Sequence, residues 1–73
     1  MILEVDREKL QTLRVDALIS MRELSRRSGV NVESIRKLEA GENTRAQDYT
    51  IRALAETLGV GPKSLLKALA PTR

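Results

Sequence analysis

Residues 31–37 read Asn-Val-Glu-Ser-Ile-Arg-Lys, which sets hydrogen-bond donors, acceptors and two cations along about two helical turns. An Arg can take O6 and N7 of guanine with two parallel hydrogen bonds, and a Lys can take a base or a phosphate. Glu33 could accept from cytosine N4, and Val32 could touch a thymine methyl. Asn31, Val32, Glu33, Ser34, Arg36 and Lys37 are therefore candidates for reading base edges. The plainer account of Asn31 and Glu33 is a helix cap and a favourable charge on the helix dipole, neither of which needs a ligand. For Arg36 and Lys37 the plainer account is a solvated helix face.

Other chemistries lose their parts. The 73 residues contain no His and no Cys. That removes the commonest general base, the thiol nucleophile, thiolate metal sites and any disulfide frame. No Gly-rich phosphate loop precedes a helix, and no nucleophile–base set is visible. No enzyme activity, cofactor or metal is expected. No run is long enough to span a membrane. The start, MILEVDREK, lacks the basic-then-apolar order of a secretory leader, and a cytoplasmic setting is expected. Thirteen basic against ten acidic side chains give a net charge of +3, too modest to name a partner alone. With one Tyr and no Phe or Trp, the core must come from Leu, Ile, Val and Ala.

Helical signals position the candidate residues. Asp6 can cap a first helix whose apolar face runs Leu10, Leu13, Ala17 and Leu18, with Arg7, Glu8, Lys9, Gln11 and Asp16 on the wet side. Ser20-Met21-Arg22-Glu23 is a capping box that opens a short second helix, stopped by Gly29. Asn31 caps a third, Val32 to about Ala40, with Ile35 and Leu38 inward and Gly41 after it. Residues 42–46 read as a polar connector. Gln47 or Asp48 starts a fourth helix carrying Ile51, Leu54, Ala55 and Leu58. Gly61-Pro62 starts a fifth with Leu65, Leu66, Ala68 and Leu69, and Pro71 ends it. Residues 1–5 are a loose arm or a strand-like segment. One domain over 6–70 is expected, with an arm at 1–5 and a tail at 71–73. Two short helices joined by a turn of about 3–4 residues with a Gly, here within 20–41, form a helix-turn-helix. Its first helix braces the second, which projects its outer face into the DNA major groove. Ser20, Met21 and Arg22, at the start of the bracing helix, are phosphate candidates, whereas Arg26 and Arg27 read as solvated surface.

The ordered set Leu13-Arg14, Ser20-x-x-Glu23-Leu24, Gly29-Val30, Ile35-x-x-Leu38-Glu39-x-Gly41 and Thr50-x-x-x-Leu54-Ala55-x-x-Leu58-Gly59-Val60 resembles the lambda-repressor-like, Cro-type helix-turn-helix family, also called the XRE family. The resemblance covers about residues 10–66. It implies an all-α, compact five-helix domain that binds operator DNA, usually as a homodimer on a palindromic site. It also implies that Asn43, Thr44 and Arg45 contact the phosphate backbone, and that Arg14 and Glu39 form a structural ion pair. The chain departs from the family pattern with Leu18 where Gly is frequent, Ser25 where a small Ala is usual, and Met21 and Val32 where Gln often begins a helix.

The expectation is a small repressor-like transcriptional regulator of prokaryotic or phage type, with double-stranded DNA as partner. Its dimer face would use apolar residues of the last helix, Leu65, Leu66 or Leu69, or the arm Met1–Val5. A rival reading is an antitoxin or interaction module of the same fold whose partner is a protein, a toxin or a regulator. A third keeps the fold and loses DNA binding.

Overall fold

The computed structural model describes residues 1–67. Its elements run β1 (Ile2–Glu4), α1 (Arg7–Asp16), α2 (Met21–Ser28), α3 (Val32–Ala40), β2 (Arg45–Gln47), α4 (Asp48–Leu58) and a single 3-10 turn (Pro62–Leu65). Each of the first three helices starts on a side chain that takes up orphan amides. The Asp6 carboxylate accepts from the amides of Glu8 and Lys9 at 3.1 and 3.2 Å. Ser20 Oγ accepts from the Glu23 amide at 3.0 Å, and Asn31 Oδ1 from the Glu33 amide at 2.7 Å. Such caps are worth about 1 kcal/mol each, a large share of the stability of helices this short.

The core is aliphatic throughout. Leu10, Leu24, Ile35, Leu38, Ile51, Leu54, Ala55 and Leu65 come from five different segments and meet with Val5. Leu3, Leu13, Ile19, Met21, Val30, Leu58 and Val60 pack half-buried around them. Val30 and Leu58, the latter one of the apolar residues the sequence pattern gives the fourth helix, sit on its margin.

The first five residues are the strand-like alternative. β1 pairs antiparallel with β2, with Ile2 opposite Gln47, Leu3 opposite Ala46 and Glu4 opposite Arg45. Side chains alternate along a strand, so Leu3 and Val5 turn to the core while Ile2 faces out. The polar connector after α3 therefore ends in a strand, and Arg45 belongs to β2.

The fifth helix is the other difference. Among the described residues it is one 3-10 turn, after which Leu66 is extended and bridges antiparallel to Val5. The cause is hydrogen bonding. Asp6 donates to the Leu65 carbonyl at 2.8 Å, and Lys67 donates to the Glu4 carbonyl at 3.1 Å. The outer edge of β1 thus draws the chain out of the helix. Ala68, Leu69 and Pro71, assigned to that helix from sequence, and the tail at 71–73 lie outside the described residues. Leu65 is fully buried and Leu66 half-buried, so Leu65 is core and offers nothing to a partner.

Two local expectations also change. Leu18 is not on the apolar face of α1. The helix ends at Asp16 with Ala17 as its cap, and Leu18 sits at φ 61° with 91% of its surface exposed. The position where relatives often carry Gly is one where the backbone is left-handed. The capping box is half-formed: Ser20 holds the Glu23 amide, while the Glu23 carboxylate turns to Arg26 and Arg27.

Candidate nucleic-acid interface

The turn between α2 and α3 sets how α3 is presented. Gly29 ends α2 at φ 78°, and its amide donates to Ser25. The Ser25 hydroxyl donates to the Val30 carbonyl at 2.6 Å, and Ser28 Oγ accepts from the Val30 amide at 3.1 Å. The departure from Ala at position 25 thus supplies a hydrogen bond across the turn. α2 packs on both α3 and α4, and α1 packs on α3. With Ile35 and Leu38 buried, the opposite face of α3 is left to solvent.

That face carries Val32, Glu33, Ser34 and Lys37, all exposed, with Asn31 at its head. Arg36 is part-exposed, its side chain at 43%. Asn31 and Glu33 do what the plainer account assigns them: Asn31 caps the helix, and Glu33 supplies the acid of the first turn. Neither role removes Glu33 from the surface. Its carboxylate takes Arg36 Nε at 3.0 Å and Nη2 at 2.6 Å. Glu42, beyond the end of α3, takes Nη1 at 3.4 Å and Nη2 at 3.3 Å. These contacts raise the Arg36 pKa, and the bond from Arg36 pulls the Glu33 carboxyl below its usual range. Arg36 is therefore neutralised by two acids.

The remaining cations of the surface differ. Lys37, Arg22 and Arg45 are exposed and make no ion pair among the described residues. Arg26 and Arg27 both pair with Glu23, whose carboxyl they hold below its ordinary range. Met21 is half-buried against the core, which leaves Ser20 and Arg22 as the outward groups at the start of α2.

Residues of the two candidate sets meet in one place. Ser34 of α3 lines an open concavity of about 350 Å³ with Asn43 and Arg45, and Ile2, Leu38, Ala46, Gln47 and Thr50 complete its wall. Asn43 is partly committed, since its Oδ1 accepts from the Arg45 amide at 3.2 Å. The Thr44 carbonyl accepts from Val5 at 2.8 Å, so the connector is fixed to the start of the chain.

Arg14 and Glu39 meet on the covered flank of α3, where α1 packs. Arg14 Nε donates to Glu39 Oε2 at 2.6 Å and Nη2 to Oε1 at 3.0 Å, a two-point contact. Nη1 donates to the Ile19 carbonyl at 3.0 Å. The side chains are only 13% and 6% exposed. The hydrogen bond and charge of Glu39 raise the Arg14 pKa against the opposing effect of burial. This contact ties α1 to α3 and to the link between α1 and α2.

A family model described as helix-turn-helix matches residues 10–65, most of the chain. The chain belongs to the lambda-repressor-like, Cro-type helix-turn-helix family. No curated protein and no solved structure gives a significant match. The family is one of DNA-binding transcription regulators, and it is not typically enzymatic. No helix among the described residues is long and apolar enough to cross a membrane.

Glu42 escaped the sequence reading. Its partner Arg36 is six residues earlier, outside the three- and four-residue spacings that bring side chains together on one helix. Only the left-handed Gly41, at φ 80°, folds Glu42 back against the helix it follows. The Glu33–Arg36 contact, three residues apart, had a readable spacing.

Proposed function

We propose that this chain is a sequence-specific repressor of transcription that binds a palindromic operator as a homodimer, with α3 in the major groove. The observation that carries the reading is the polar outer face of α3, left free of packing while α1 and α2 brace its inner side. Arg36 and Lys37 are the strongest base-reading residues on it, with Asn31, Val32, Glu33 and Ser34 nearer the helix start. Arg22, Arg45, Asn43, Thr44 and the α2 start at Ser20 flank it and serve the phosphates. Phosphate contacts position a protein without reading sequence, whereas base contacts discriminate. A cytoplasmic location follows from DNA as the ligand.

One such unit covers too little surface for tight specific binding, which supports a two-fold dimer with half-site centres about 34–36 Å apart. Met1 and Ile2, exposed at the start of the chain and of β1, are apolar residues available to a second copy. Selection of bound duplexes from a random pool tests the reading, followed by sedimentation of the complex. Recovery of an inverted repeat bound by two chains is the expected result. A non-palindromic site bound by one chain overturns the dimer, and recovery of no preferred sequence overturns DNA reading itself. The same exposed Met1 and Ile2, with Tyr49, support a second reading in which an antitoxin-like or interaction module uses them on a partner protein.

A further inference from the structure

A guanidinium has five N–H groups and two edges that can form paired hydrogen bonds, Nε with Nη2 and Nη1 with Nη2. In Arg36 both edges are filled. Glu33 holds the Nε/Nη2 edge at 3.0 and 2.6 Å, and Glu42 holds the Nη1/Nη2 edge at 3.4 and 3.3 Å. Guanine presents O6 and N7 as two adjacent acceptors, the pattern of a carboxylate. It can bind Arg36 with two bonds only by displacing one of the acids. The longer contacts mark Glu42 as the one to leave. Glu33 is one turn earlier on the same helix and can keep its hold while the other edge is exchanged.

We infer that Glu42 is a specificity-determining residue, whose carboxylate occupies the edge of Arg36 that reads guanine and yields it only to a base in register. The inference rests on the proposed reading of α3 as the recognition helix. Glu42 thereby keeps Arg36 from adding its charge to contacts with any DNA. On random duplex, Arg36 stays on Glu42, and the phosphates meet Lys37, Arg22 and Arg45. On the operator, the guanine edge takes the place of the carboxylate, and Glu33 braces the guanidinium from the side.

The test compares the parent with Glu42→Gln, and with Glu56→Gln as a control that removes one exposed acid from α4, outside the candidate surface. Both probes are defined duplexes: the site selected from a random pool, and its scrambled version. Glu42 is half-exposed at the end of a helix, so the substitution spares the core. Without DNA, NMR of the guanidinium should show slow rotation of Arg36 about Nε–Cζ in the parent and faster rotation in Glu42→Gln. Affinity of Glu42→Gln for the scrambled duplex should rise about two- to fivefold. Its log K against log salt line should steepen by about one unit, because one more cation reaches phosphate. On the selected site that slope should stay at the parent value, and Glu56→Gln should leave all these readings unchanged. Rotation equally fast in the parent overturns the inference. So does an unchanged affinity and slope on scrambled DNA when the parent still prefers its selected site, a result that leaves the recognition reading standing. A parent without any sequence preference overturns both.

Discussion

α3 takes part in two arginine–glutamate contacts, an inner one that is covered and an outer one that is exposed, and the two are built from the same groups to different ends. On the inner side, Arg14 and Glu39 make two hydrogen bonds while almost wholly covered, with Ile19 taking a third N–H. On the outer side, Arg36 spreads its bonds over Glu33 and Glu42, each of which is 55% exposed. Burial decides what each contact is worth. A charge stripped of water and then deprived of its partner has no solvent to fall back on, so the inner pair is costly to break. Exposed carboxylates regain water when released, and such pairs contribute about 0–1 kcal/mol. The inner contact fixes the helix, and the outer one can be exchanged for a ligand at little loss of stability.

The largest expected effect is on the inner side. Arg14→Ala should destabilise the fold by about 3 kcal/mol, leaving Glu39 covered without its partner. Urea melts at constant slope would show the fall in midpoint. A fall no larger than that of an exposed control would mean that water reaches Glu39, and the contrast between the two sides would be lost.

On the outer side, Arg36→Ala should change stability by no more than about 0.5 kcal/mol. Its expected effect is on recognition: a loss of about 1–3 kcal/mol on the selected duplex and a narrower gap to scrambled DNA. Fluorescence-anisotropy titration of both duplexes measures it. An intact preference would take base reading away from Arg36.

Gly29 joins the two sides, since it sets the angle at which α3 leaves α2. A Cβ there would meet nothing within 4 Å, so the cost of Gly29→Val is backbone strain alone at φ 78°. The expected loss is about 1–2 kcal/mol, read from the urea midpoint. Gly41 is tighter in another way. A Cβ on it would collide with the Arg7 guanidinium, which bonds the Ala40 carbonyl at 3.2 Å.

Arg45 makes no ion pair among the described residues, although Glu4 stands opposite it across the strand pair, and so offers a comparison for Arg36. Arg45→Ala should weaken selected and scrambled duplexes by a similar factor and flatten the log K against log salt line by about one unit. A loss confined to the selected duplex would make Arg45 a base contact.

The parts legible in the sequence are those governed by local rules. Asp6, Ser20 and Asn31 cap helices because a short polar side chain before an amphipathic run has amides to accept from. The stops at Gly29 and Gly41 follow from the same locality. What the sequence concealed depends on residues far apart in the chain. β1 has a partner only because residues 45–47 arrive beside residues 2–4, and the same strand then draws Leu66 out of the last helix. Glu42 reaches Arg36 across a chain reversal, so no helical spacing could reveal it. Leu18 misled because apolar spacing fits it to the face of α1, whereas the helix has already ended.

Leu18 gives the smallest expected effect and the sharpest check that the two sides of α3 are separable. It lies in the link from α1 to α2, next to Ile19, whose carbonyl takes the third bond of Arg14. At φ 61° a leucine carries a penalty of about 1–2 kcal/mol that glycine avoids. Glycine in turn makes the unfolded chain more disordered, at a cost of about 0.4–1 kcal/mol. The side chain is 91% exposed, so little packing is lost. The two backbone effects leave Leu18→Gly more stable by about 0.5 kcal/mol, seen as a slightly higher urea midpoint. Because the change sits on the inner side, it should leave the Arg36 cluster in place, and both DNA affinities should match the parent. A more stable variant with altered preference between selected and scrambled duplex would show that the inner link sets the pose of the outer face. A less stable variant would show that the leucine side chain has a contact that outweighs its strained backbone.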